Sequence, residues 1–495
     1  MYDSHNSPVI GIDLGTTFSA VARWTGEDAD VYSPKGERTM QSVVFYDEKT
    51  DKFIFGRTAF MSGMLKPENL CIGVKRLMDN KDAKVTLGGK EYSPIDISSM
   101  ILKSLYSNVK GMFPEGVYDA SGAVVTVPYY FKAHQCENTA EAAKKAGLNL
   151  VGILQEPIAA AFAYGLHHSS KDTVRNENIL VFDLGGGTFD ITLFKIVEDR
   201  ENIKFEVLAI GGDDRLGGLD FDNSFMKYIL DKEGIDLDEC DNERMKKIGL
   251  QKLMDSVTKS KEALSSTDSV FMGVPDVIPG VHIDNEYTRE DFEESISNYL
   301  EEIKAILKST LNAANIDPKD IDKVLKVGGS SKIPAMDMII EEVVGRGKTY
   351  SDIDPSLCVA QGAAIYGAYL TNNLAIDKKI TIETTTAHAL GVEDSNGSMV
   401  VLIHQNQKTP ARKTLTFTTD EDNSTEIDVE VYQGASRIAK QNAHIGTVKI
   451  KGLVPKPKYE LQIKITFEVG KEQMVKVTVE QEESNIKHTE MLKLA

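Results

Sequence analysis

The 495-residue sequence holds only four cysteines and one tryptophan. Cys71, Cys136, Cys240 and Cys358 stand far apart with no Cys-x-x-Cys pair, so zinc and dithiol redox chemistry are set aside and the four read as reduced thiols. No apolar stretch approaches the roughly 18 residues a membrane helix needs. Residues 1–8 are polar and lack the apolar centre of a secretory signal, so the expectation is a cytoplasmic protein with no membrane association. Positive charge is scarce too: 56 Lys and Arg stand against 75 Asp and Glu, a net charge of −19. Residues 380–495 carry 14 basic and 16 acidic side chains, so nearly all of the excess lies before them. A field of that sign repels phosphate backbones, and no nucleic-acid partner is expected. Any anionic ligand must be held by local backbone donors and a metal.

With 41% apolar residues, the chain has enough to fill cores in two to four domains. Up to about residue 370, strand-like runs (9–13, 124–128, 179–182, 324–327) alternate with long amphipathic helix-like stretches, the signature of α/β layers. From about residue 378 the texture changes to short alternating segments rich in Thr, Val and Ile, at 413–419, 426–432, 447–453, 460–468 and 474–480. These read as strands of an all-β sandwich. The predicted division is an α/β domain over 1–370, a linker over 371–384 and a sandwich over 385–495.

An internal repeat carries most of the functional reading. Residues 9–21 (VIGIDLGTTFSAV) and 180–192 (LVFDLGGGTFDIT) share one plan: apolar strand, Asp-Leu, a Gly-rich turn with Thr, and a second alternating strand. Each copy reads as a β-hairpin with an aspartate where its first strand ends. Two copies 170 residues apart predict duplicated lobes whose glycine turns line a shared cleft. In such turns the backbone comes close to a ligand, and successive N–H groups converge on phosphate oxygens. Asp13 and Asp183 are placed to meet a Mg²⁺ that keeps several of its waters.

Other nucleotide signatures fail. Gly345-Arg346-Gly347-Lys348-Thr349 ends like a P-loop, but Glu342 stands where the first glycine is required, and no Gly-x-Gly-x-x-Gly follows a strand. Two more glycine clusters, 211–218 and 327–334, join a strand to a helix and suit an anion or a sugar edge.

Taken in order, 11–17 (GIDLGTT), 74–77 (VKRL), 125–131 (VTVPYYF), 156–165 (EPIAAAFAYG), 182–190 (FDLGGGTFD) and 216–222 (LGGLDFD) resemble the 70-kDa heat-shock chaperones of the DnaK type over nearly the whole chain. The resemblance implies an actin-like ATPase of two duplicated lobes followed by a β-sandwich that grips extended, unfolded peptides. It also implies ATP or ADP with Mg²⁺, and K⁺, as cofactors, and a J-domain co-chaperone and a nucleotide exchange factor as partners. By motif, Lys75, Glu156, Asp183 and Thr188 are the expected catalytic group. Asp13, Gly15, Thr16, Thr17, Gly185, Gly186, Gly187, Gly212, Lys261, Ser265, Gly328, Gly329, Ser330 and Lys332 are expected around the nucleotide. Asp13 and Asp183 would hold the metal through water. Val392, Phe417, Ile427, Val429 and Ile463 would form the peptide groove, although alternation alone also predicts them as inward core residues.

The departures from the family are specific. Glu262 and Lys332 occupy positions where it places basic side chains around the adenine ring, and the two could pair with each other. Cys136 replaces an arginine that, with Pro128, serves communication between the domains. The leucine-rich linker becomes Lys379-Ile380-Thr381-Ile382-Glu383-Thr384, so its docking should be weaker or use other contacts. Ser395 and Asp420 replace the apolar pair that arches over the peptide. The sequence stops about where the sandwich finishes, so no helical lid is expected and peptide should be released quickly. Three readings follow: an ATP-hydrolysing chaperone with weak peptide binding, a regulatory or scaffold relative with little turnover that docks on another chaperone or a ribosome, and a small-molecule kinase, which leaves the β-rich end without a role.

Overall fold

The computed structural model describes residues 8–493, apart from 33–35, 81, 112, 114–116, 168, 171, 351, 353, 375–377 and 471–473. The predicted duplication is visible in its topology. In the first lobe the strand order is Leu150–Gln155, Gly122–Val127, Val9–Asp13, Phe18–Trp24, Ala29–Val31. In the second it is Thr349–Tyr350, Lys323–Val327, Arg175–Leu184, Phe189–Glu198, Asn202–Asp213. Both sheets are parallel up to the first hairpin strand and antiparallel across the next two. Each central strand is buried on both faces, which is why it reads as a continuous apolar run.

Two small-residue helices fasten the lobes together: Glu156–His167 follows Leu150–Gln155 of the first sheet, and Cys358–Leu370 comes after Thr349–Tyr350 of the second. Their backbones nearly touch, since a Cβ on Gly362 would come within 1.7 Å of Ala159 O. Ala-rich faces permit this approach, and a core of Ala159, Ala160, Phe162, Ala363 and Ala364 lies between the two sheets. The site is therefore carried on a stiff frame.

The C-terminal region is a sandwich of two four-stranded sheets, Met399–Ile403, Leu390–Glu393, Glu426–Gln433, Ala443–Lys451 against Ala411–Thr418, Gln462–Val469, Met474–Gln481, Ile486–Lys493. The five strands read from alternation are all present, with bounds moved by a few residues. The expected linker behaves less like a free connector. Residues 375–377 lie outside the described residues, and Lys379–Glu383 forms a strand pairing in parallel with Asn202–Glu206 at the edge of the second lobe's sheet. Among the described residues no helix is long and apolar enough to cross a membrane. The Gly345–Thr349 segment is a tight connection, and Lys348 Nζ donates to the carbonyls of Pro318 and Lys319 rather than facing a phosphate site.

Candidate functional site

The two hairpin turns face each other across a cavity of about 340 Å³ between the lobes. Gly15, Thr16 and Thr17 line it from one side, and Gly185, Gly186, Gly187 and Thr188 from the other. The approach is so close that a Cβ on Gly186 would sit 1.9 Å from Thr17 Oγ1, and one on Gly187 2.6 Å from Thr16 Oγ1. Glycine is thus required by contact as well as by turn geometry. The first turn is braced by Ser42, whose Oγ donates to Gly15 O at 2.7 Å and whose N–H donates to Thr17 O.

Asp13 and Asp183 end equivalent strands and both line the cavity. Burial first, then the negative charge of Glu156, raises the Asp13 carboxyl to about 7, against Lys75 and a hydrogen bond from Thr126 Oγ1 at 3.2 Å. Asp183 is pushed well above the ordinary carboxylate range by burial and by Glu156, Asp190 and Asp13. Its Oδ2 is buried without a partner among the described residues, as is Thr17 Oγ1. Such an acidic pair, under-supplied with cations, fits a hydrated divalent ion, which would neutralise the repulsion and take up the orphaned oxygen.

Lys75 and Glu156 form a buried ion pair at this end, with Nζ 2.6 Å from Oε1 and Nζ 5.5 Å from the centre of the Phe131 ring. Gly73, at φ 68°, turns the chain into the short helix Val74–Leu77 that carries Lys75. The neighbouring Arg76 was not singled out from sequence, yet it ties the lobes across the cleft: it pairs with Asp220, and Nη2 donates to Gly187 O at 2.9 Å. Only its place in the Val-Lys-Arg-Leu motif could have drawn attention to it.

At the far end, helix Glu243–Leu264 contributes Thr258, Lys261 and Glu262, joined by Ser265 just beyond it, while Gly328, Gly329, Ser330 and Lys332 come from the second cluster and Pro355 and Ser356 from the next loop. Gly328 has φ 79°, and a Cβ there would meet Leu184 O at 2.4 Å, so no other residue fits the strand-to-helix turn. Two expectations need correction. Gly212 does not line the cavity: it lies inside strand Asn202–Asp213, paired with Asp190, and the cleft is reached instead by Gly218, where the next helix begins. Glu262 and Lys332 do not pair; Lys332 Nζ turns to Ser356 Oγ at 3.1 Å and Asp354 at 3.8 Å.

The peptide-groove residues divide. Val392, Val429 and Ile463 are 2%, 6% and 1% exposed within the sandwich core, and Phe417 and Ile427 are half-buried against that core. The inward reading of alternation describes them in this conformation. Ser395 and Asp420 are exposed.

The joint between the lobes and the sandwich is built from residues not picked out in sequence. Tyr129 Oη donates to Thr385 O at 3.3 Å. Gln405 Nε2 donates to Tyr130 Oη at 2.9 Å, and the His388 ring stands edge-on to Tyr130 with centroids 5.2 Å apart. Asn406 and Ile210 exchange hydrogen bonds at 2.8 and 3.2 Å, and Lys408 pairs with Glu206. At the linker's base Lys378 Nζ is 2.7 Å from Glu198, which also pairs with Arg175 at 2.8 Å. The linker, expected to dock more weakly or through other contacts than a leucine-rich one, is held by its strand pairing, by the buried Ile380 and by the Lys378–Glu198 pair. Cys136 stays half-buried on its helix, and burial raises its thiol to about 12.

A model of the Hsp70 protein family matches residues 9–494, nearly the full sequence. The topology of the lobes, the paired aspartate hairpins and this match agree, and the chain belongs to the Hsp70 family, whose members are ATP-dependent chaperones.

Proposed function

We propose that this protein binds and hydrolyses ATP in the cleft between its lobes and grips extended, unfolded peptide weakly through its sandwich. The observation that carries the reading is the convergence of Asp13, Asp183, Lys75 and Glu156 on one cavity walled by two glycine turns. Phosphoryl transfer to water asks for positioning and charge stabilisation rather than covalent help, and this is what the cavity offers.

The backbone N–H groups and hydroxyls of residues 15–17 and 185–188 are the donors for the phosphate oxygens. Asp13 and Asp183 would hold a hydrated Mg²⁺, which would supply charge neutralisation at the phosphates. Lys75 presents its ammonium to the terminal phosphate and orients the attacking water, with Thr188 as a second hydrogen-bonding group. Glu156 keeps Lys75 in place through their buried pair and would accept a hydrogen bond from a water of the bound ion. Arg76 holds the second turn against the first.

Peptide binding is the weaker half of the reading. Three of the five groove residues are covered by the sandwich itself, so gripping a peptide requires that part of the core to open, at the expense of its burial. J-domain and exchange-factor partners follow the family. Single-turnover hydrolysis of ATP, with and without an unfolded peptide, tests the proposal. Turnover stimulated by peptide supports it. Tight binding without turnover instead favours a regulatory or scaffold role in which the seated linker and sandwich dock on another chaperone or a ribosome.

A further inference from the structure

A second cavity, of about 790 Å³, opens between the lobes and shares no described lining residue with the nucleotide cleft. Its floor is apolar. Trp24 comes from the first sheet, Ala163 and Leu166 from helix Glu156–His167, Ile365 from helix Cys358–Leu370 and Leu374 from just beyond it. Trp24 is the chain's one tryptophan, and its Nε1 donates to Asn373 O at 3.1 Å, so the polar edge of the ring is satisfied. The rim, in contrast, is acidic and exposed. Glu27 and Asp28 stand in the turn between strands Phe18–Trp24 and Ala29–Val31 of the first lobe, and Asp352 and Asp354 belong to the second. Against these four carboxylates stands one guanidinium, Arg38, 3.7 Å from Asp354, which Lys332 also approaches at 3.8 Å. Glu27, Asp28 and Asp352 have no ion pair within 4.0 Å among the described residues. The C-terminal end of helix Glu156–His167, where its dipole is negative, adds to the same field.

An apolar floor alone suits any hydrophobe, and an acidic rim alone suits any cation. Uncompensated carboxylates on both lobes with apolar surface between them ask for more: a molecule with cations at both ends and methylene groups in the middle. Such stems cover apolar surface while their charged ends stay at the water, and an indole face attracts an ammonium. The volume lies within the roughly 300–1,000 Å³ of small-molecule sites. We propose that this cavity is a binding site for linear polyamines, with Glu27 and Asp28 holding one end, Asp352 the other, and Trp24 and Leu166 covering the methylene stem. The site goes beyond the nucleotide reading and does not depend on it.

The test is titration of the full, nucleotide-free chain with spermidine, followed through the emission of Trp24. Two comparison ligands separate the parts of the argument: Mg²⁺ has charge without a stem, and hexylammonium has a stem with one charge. Spermidine is expected to bind at least about tenfold more tightly than either. Asp28→Asn/Asp352→Asn is expected to weaken spermidine binding by at least about threefold, the size of two partly exposed ion pairs. Glu301→Gln/Glu302→Gln, which removes the same charge from exposed positions on helix Ser297–Ala314, is expected to leave it unchanged. All four substituted positions are exposed, so both variants should fold, which thermal melts verify. Mg²⁺ or hexylammonium binding within tenfold of spermidine, or a loss below threefold in Asp28→Asn/Asp352→Asn, overturns the proposal. So does an equal loss in both double variants, or an emission that answers to a lysine-rich peptide and not to spermidine.

Discussion

The nucleotide cleft and the joint between lobes and sandwich are both assembled from distant parts of the chain, but by different means. The cleft is made of two copies of one local motif, so its geometry follows from the duplication: equivalent strands, equivalent turns and an aspartate at the end of each. The joint has no such symmetry. It is a set of individual pairs, Glu198 with Lys378 and Arg175, Glu206 with Lys408, Tyr130 with His388 and Gln405. Local repetition makes a site robust and readable, whereas pairwise contacts make a joint that single substitutions should be able to release.

The largest effect is expected in the cleft. Lys75→Ala should lower the single-turnover rate by on the order of 10²- to 10³-fold with nucleotide affinity nearly unchanged, because it removes a charge used mostly at the transition state. It also leaves Glu156 buried and unpaired, so thermal stability should fall, with Glu156→Gln in the same chain recovering it. A wild-type hydrolysis rate in Lys75→Ala would remove Lys75 from the mechanism.

At the joint, Glu198→Ala strips the partner from two buried cations and should cost about 3–5 kcal/mol, measured as a lower denaturation midpoint together with faster proteolysis near residue 378. Equal protease resistance in the variant contradicts the anchoring role given to this pair. Lys408→Ala should cost much less, about 0.2–1 kcal/mol, since its side chain is 64% exposed and the pair is open to screening. Its effect should vanish in high salt, which separates it from Glu198→Ala.

The smallest effect is set by pH. Burial holds His388 below its ordinary 6.5, so the ring is neutral when packed on Tyr130. Because the folded value is the lower one, this contact's stabilisation is present above about pH 6.5 and is lost as the pH falls through that lower value. Acidification should therefore expose the linker to protease before it affects hydrogen exchange in the lobes, and His388→Phe should flatten that dependence. An unchanged profile in His388→Phe would assign the pH response to other groups.

The same contrast explains what could be read in advance. Asp13, Asp183 and the residues of both turns were legible because a hairpin is a local object with its own signature. Gly212 was misjudged because the 211–218 cluster holds two glycine pairs, and only the fold decides that the first lies within a strand while the second opens a helix at the cleft. Arg76 was passed over because its partners, Asp220 and Gly187, lie in the other lobe. Alternation placed Val392, Val429 and Ile463 on inward faces correctly but does not distinguish a core from a groove. Nothing local to Tyr130, His388 or Lys408 announces a contact between residues 202 to 275 positions apart.

The central claim is that matched carboxylates at the two hairpins share one magnesium-bound polyphosphate, and the Mg²⁺ dependence of ADP affinity in Asp13→Asn/Asp183→Asn tests it most directly. The account predicts that added Mg²⁺ tightens ADP binding to the wild type by at least about tenfold and leaves the double variant unaffected. An equal gain from Mg²⁺ in both proteins would contradict it.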